Sequence, residues 1–160
     1  GAHNLGFFNS LAVGMTSAWG VFQAIFGRDS NRWRRGTPMV MRHLPGGEPL
    51  PHSRHGDPAR RFIMICSTLE HFPVGLKLFG RPRPGLKLAI MDKPLRRLLV
   101  SFPAILSGWQ ADWLEPAGLF QIEVEGFTLD VGDDIILDGE AMPAGSYRVT
   151  QGPSLTFVTE

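Results

Sequence analysis

"FQIEVEGFTLDV", residues 120 to 131, is the stretch whose reading decides the fold. Phe120, Ile122 and Val124 alternate with polar residues, the pattern of a strand with one face on a core and the other toward water. After Gly126 the alternation resumes one residue out of step, with Phe127, Leu129 and Val131. A slip of one position turns the opposite set of side chains inward, so Gly126 must mark a bulge or a turn that resets the register. Two strands joined at such a point predict antiparallel β-structure.

Downstream, "IIL" (135–137) precedes Asp138-Gly139, "YRV" (147–149) follows Ala144-Gly145, and "GP" at 152–153 turns the chain into a final "LTFV". Each is a short β-prone run bounded by turn residues. Upstream, "LKLAIMD" (86–92) forms a strand after the turn-forming "RPRPG", and residues 44–60 read as an exposed loop. "RFIMICSTL" (61–69) is a continuous apolar run bounded by charge, which predicts a central strand buried on both faces.

In "DKPLRRLLVSFPAILSGW" (92–109) the period changes. Leu95, Leu98, Leu99, Phe102, Leu106 and Trp109 fall on one helical face, with Arg96 and Arg97 on the other. Asp92 stands where an N-cap belongs and Pro94 where a first-turn proline belongs. Pro103 is expected to bend or split the helix. A second helical stripe runs through Leu11, Met15, Trp19, Phe22 and Phe26, within a segment from Asn4 to Gly27 that has no charged side chain. Its periodicity favours a packed amphipathic helix over a membrane span. The cluster "RDSNRWRRG" after it reads as a solvated helix end and loop, with contact to anionic head groups as the alternative.

With 160 residues, 43% of them hydrophobic, the chain suits one domain. Residues 1–3 read as a tag remnant, residues 4–160 as that domain, and the missing initiator methionine as the mark of a piece of something longer. The fold class expected is mainly β (α+β): an antiparallel β-sandwich with one to three peripheral helices. A net charge of +1 provides no field for nucleic acid. The single cysteine, Cys66, permits no intrachain disulfide and suits a cytoplasmic protein. His52 and His55 lack partners at metal-ligand spacing. No phosphate loop or nucleophile elbow is present, and His71 reads as a strand-end residue.

Asp138-Gly139-Glu140 has two readings from its residues alone. It is the commonest type of hairpin turn. It is also a rigid turn that could hold carboxylates toward Mg2+ while Gly139 admits a phosphate to the backbone, with Asp133 and Asp134 adding charge nearby.

Two stretches, "ICSTLEHFPVGLKLFGRPRPGLKLAIMDKPLRRLLVSFPAILSGW" and "FTLDVGDDIILDGEAMPAGSYRVTQGPSLTFV", resemble the C-terminal portion of diacylglycerol kinase and sphingosine kinase-like lipid kinases. The resemblance covers about residues 62 to 158 and, more loosely, "FFNSLAVGM". "LDGE", the following Pro-x-Gly and the terminal "GPSLTFV" carry most of it. It implies a C-terminal β-sandwich that faces lipid and works with an N-terminal nucleotide-binding α/β domain. It further implies that Asp138 and Glu140 hold Mg2+ and that these two, with Gly139, approach ATP in the interdomain cleft. The N-terminal domain is absent from this chain, so the isolated domain is expected to be inactive. The implied partners are that domain, a lipid substrate and a membrane surface touched peripherally. Where many bacterial relatives have an acidic Asp-Asp-Gly-like stretch, this chain has "RPRPGLK", with Arg83, Pro84 and Lys87. That departure supports an alternative: a non-catalytic lipid-binding or regulatory module that retains the sandwich.

Overall fold

A computed structural model describes residues 35–69, 75–81, 84–137 and 140–153. The elements are β1 (Thr37–His43), β2 (Arg60–Arg61), β3 (Ile63–Ser67), β4 (Leu86–Met91), α1 (Arg96–Leu106), β5 (Leu119–Val124), β6 (Gly126–Val131), β7 (Ile135–Leu137), β8 (Glu140–Met142) and β9 (Gly145–Thr150). The helical stripe of residues 11–26, the basic cluster up to Arg34, His71 and the final "LTFV" lie outside the described residues.

Every strand pairing is antiparallel. One sheet has the order β2-β1-β6-β9, a second β3-β4-β5, and a third is the β7-β8 pair. The first two face each other across a shared core. Met39 and Met41 of β1 and Phe127, Leu129 and Val131 of β6 meet Leu86, Leu88 and Ile90 of β4 and Phe120 and Val124 of β5. This is the expected mainly β sandwich, with one helix among the described residues.

Gly126 is where the chain leaves one sheet for the other. β5 ends at Val124 in the three-stranded sheet, and β6 begins at Gly126 in the four-stranded one. Because the two sheets present opposite faces to the same core, the chain must change its inward parity as it crosses, which is the slip visible in the sequence. Gly126 also makes a close approach: a Cβ there would lie 2.9 Å from the Val149 carbonyl oxygen.

The doubly buried central strand is β4, not the "RFIMICSTL" segment. All six β4 residues are buried. Alternate residues Leu86, Leu88 and Ile90 enter the inter-sheet core, while Met91 packs with α1 on the opposite side. β3 lies at the edge of its sheet and is half-exposed. Its continuous apolar run mimics a central strand because the helical layer and the sandwich core shield it in part from each side.

α1 closes the outer face of the three-stranded sheet. Leu98 and Ile105 are buried against Met91, Leu114 and Leu119, with Leu95 and Phe102 packed beside them. The spacing 95, 98, 102, 105 replaces the predicted end of the stripe; Trp109 lies beyond the helix and is 44% exposed. Leu95, not Asp92, occupies the N-cap, without a side-chain cap bond. Pro103 lies inside the helix, which neither splits nor ends there. Its ring is on the exposed side of the helix, and it supplies no N–H to the Leu99 carbonyl. Among the described residues no helix is long and apolar enough to cross a membrane.

Candidate functional site

The strands that carry the acidic turn form the outer tier of a long hairpin. In the inner tier β6 pairs with β9, from Gly126↔Thr150 to Val131↔Gly145. Beyond it β7 pairs with β8, as Ile135↔Met142, Ile136↔Ala141 and Leu137↔Glu140. That register leaves two residues, Asp138 and Gly139, between the strands, the loop length that Asp-Gly favours. Asp138 and Gly139 themselves lie outside the described residues. Five residues lie between Val131 and Leu137, so Leu137 can stand up to roughly 20 Å from the end of the inner tier.

The outer tier is fixed at its base and open toward its end. Ile135 packs against the sandwich core, and the Tyr147 hydroxyl donates to the Pro143 carbonyl. Thr37 Oγ1 donates to Asp133 Oδ2 at 3.3 Å. Ile136 and Leu137 are 72% and 57% exposed, and Glu140 is exposed beside them. No described side chain is hydrogen-bonded or ion-paired with Glu140, and no group of three or more metal-binding side chains converges among the described residues. Mg2+ is commonly held by one or two protein carboxylates together with phosphate oxygens and water. Asp133, Asp134 and Glu140 are exposed carboxylates of the described residues, Asp133 accepting the Thr37 hydroxyl; Asp138 lies outside them.

A buried polar cluster lies elsewhere, beneath the loop that leads into β2. The Arg61 guanidinium forms an ion pair with Asp92 Oδ1, and its Nη2 donates to the Leu50 carbonyl at 3.3 Å. Asp92 Oδ2 accepts the Ser53 backbone N–H at 2.7 Å and lies 3.5 Å from His52 Nδ1. Both Arg61 and Asp92 are buried. Gly118 packs onto this cluster at φ +95°, where a Cβ would lie 2.7 Å from Ser53 Oγ.

His52 lies against the backbone of its own loop. Its Nδ1 is 2.5 Å from the Ser53 carbonyl oxygen and its Nε2 3.2 Å from that of Asp57. His55 is tied through its backbone to the Ser53 hydroxyl. The pairing of Arg61 with Asp92 has no local signal in the sequence, and Asp92 before Pro94 imitates a helix cap.

A cleft of about 420 Å³ opens beside β5, lined by Arg81, Gln110, Asp112, Glu115 and Gln121 over Leu114 and Leu119. It includes none of the described residues of the β7-β8 hairpin. In the "RPRPGLK" stretch Lys87 is buried, and its ammonium donates to the carbonyls of Thr68 at 3.1 Å and Gly85 at 3.2 Å. Lys87 is consequently a structural tie and not a surface phosphate contact; Arg83 lies outside the described residues. Cys66, on β3, packs against the sandwich core, and burial pushes its thiol pKa up to about 11.

No family model, curated protein or solved structure matches this chain.

Proposed function

We propose that this chain is the C-terminal, lipid-facing sandwich domain of an ATP-dependent lipid kinase of the diacylglycerol kinase type. In this reading the hairpin inserts its 138–140 turn into the nucleotide site of an N-terminal α/β domain. Asp138 and Glu140 hold Mg2+, and Gly139 lets a phosphate approach the backbone. The bound ion would neutralise charge on the phosphates as the γ-phosphoryl group moves to a lipid hydroxyl. The protein's own contribution is position: the β7-β8 pair, anchored through Ile135 and Tyr147, presents Glu140 at the surface. Phosphoryl transfer depends almost wholly on such positioning and on charge stabilisation, so the domain alone is inactive.

The observation that carries this proposal is the two-tier hairpin that leaves Glu140 exposed beside a two-residue Asp-Gly turn. The sandwich itself agrees with the architecture implied by the sequence resemblance. The test is ATP-dependent phosphorylation of diacylglycerol by the chain joined to its nucleotide domain. Asp138→Asn and Glu140→Gln are each expected to lower kcat by about a hundredfold or more, the usual scale for removing one charge-stabilising group. Unchanged turnover in both variants would remove the turn from the site.

One observation favours a second reading, a non-catalytic lipid-binding or regulatory module. Lys87 in the divergent "RPRPGLK" stretch is bound to backbone carbonyls, and the described part of that stretch has no carboxylate to serve as a base. Lipid binding without turnover on any lipid hydroxyl, in the protein with both domains, would select it.

A further inference from the structure

The outward side of α1 combines exposed apolar groups with unopposed positive charge. Its buried face, through Leu98 and Ile105, is occupied by the core. The opposite stripe consists of Arg96, Val100, Pro103, Ala104 and Ser107, all exposed, with Val100 at 70%. Residues 94–111 include Arg96 and Arg97 and no acid. Of the flanking acids, Asp92 is buried against Arg61, while exposed Asp112 and Glu115 line the cleft that contains Arg81. No ion pair joins Arg96 or Arg97 to any described residue.

Aromatic rings complete this surface. The Arg97 guanidinium stands 3.8 Å from the centre of the Trp113 ring, and Trp113 is 6.0 Å from the half-exposed Trp109. At the far end of the helix the Lys77 side chain lies against Gly108, so that a Cβ at Gly108 would be 2.5 Å from Lys77 Cδ. The stripe thus has Arg96 and Arg97 at one end, Lys77 near the other, apolar side chains between them, and tryptophan alongside. An ordinary solvated helix face would carry charges of both signs at those middle positions. Tryptophan and basic residues around a shallow apolar patch are the composition of a surface that rests in the head-group layer of a bilayer.

We infer that the outer face of α1, centred on Arg96, Val100 and Trp109, docks the protein onto anionic lipid membranes. Arg96 and Arg97 on a helix that has no acid of its own favour a negative surface, and Val100 and Trp109 enter the head-group boundary without disturbing the core beneath. This inference is independent of the kinase assignment, because none of these residues belongs to the 138–140 turn. If the chain does act on a lipid, the same face would bring it to its substrate.

Vesicle co-sedimentation of the 160-residue chain tests it, with pure phosphatidylcholine against an equal mixture of phosphatidylcholine and phosphatidylserine. Binding to the mixed vesicles and not to the neutral ones is expected, weakening as salt is raised. Arg96→Gln should lower the partition coefficient by roughly fivefold, the usual effect of one basic side chain near an anionic surface, and Arg96→Lys should retain most of the binding. Val100→Glu, at an exposed position, should abolish binding while circular dichroism stays that of the parent. Glu140→Gln should bind vesicles as the parent does, which separates this inference from the kinase test. Equal binding to both vesicle types, no binding at all, or wild-type binding by both Arg96→Gln and Val100→Glu would overturn it. So would a dimer that Val100→Glu converts to monomer, since that would assign the face to a second copy of the chain.

Discussion

Asp92→Asn is predicted to be among the most damaging conservative changes in this protein. The substitution keeps the shape of the side chain and removes its charge. In the folded chain the Asp92 side chain is 0% exposed and that of Arg61 4%, so neither ion can be resolvated in place. Asparagine would leave the Arg61 guanidinium in the core without a counter-charge. It would also have one acceptor oxygen where Arg61 and the Ser53 N–H each now meet their own. Breaking a buried pair from one side costs about 3–5 kcal/mol. The lost hydrogen bond belongs to the same network and should not be added separately. Against a total stability of about 5–15 kcal/mol, that is a large share. At about 2–4 °C per kcal/mol for a domain of this size, the melting temperature should fall by roughly 6–20 °C. Urea and thermal unfolding measure both quantities, and the denaturant slope should stay the same if the unfolded state is unaltered. A second variant isolates the cause: Arg61→Met with Asp92→Leu, which removes both charges, should recover more than half of the loss. A cost below about 1 kcal/mol for Asp92→Asn would refute the reasoning, because it would mean that water reaches the pair.

Two further predictions concern other parts of the sandwich. Cys66 should react slowly with a thiol reagent at neutral pH in the folded protein, and the rate should climb about tenfold per pH unit until its pKa of about 11 is approached. Since the folded thiol holds its proton more tightly than the free value of 9.0, its contribution to stability is complete below about pH 9 and is lost as the pH rises through 11. Fast labelling at neutral pH, or no loss of stability in alkaline melts beyond that of Cys66→Ala, would contradict this. Gly118→Ala should destabilise the fold by about 2 kcal/mol in urea unfolding, because it forces a side chain into a left-handed backbone and against Ser53 Oγ.

What the sequence by itself determined was local. The alternation on either side of Gly126 defined two strands and their parity change, because a strand's side chains switch faces at every residue whatever lies opposite. The pairing of the strands on either side of 138–139 and the 95, 98, 102 stripe were legible for the same reason: a hairpin and a helix repeat within a few residues of themselves. The tertiary structure decided what depends on partners distant in the chain. β4 became the doubly covered strand because β3 and β5 flank it while α1 and the second sheet close its two faces, and its own letters do not encode those neighbours. Asp92, which in sequence resembles a cap, was drawn into the core by Arg61, a residue 31 positions away. Burial makes that charge pair obligatory once formed, and burial is a property of the assembled layers. The candidate site divides along the same line. The three acidic-turn residues are consecutive in the sequence, while the placement of β7 and β8 on either side of them comes from the pairing of β6 with β9 beneath.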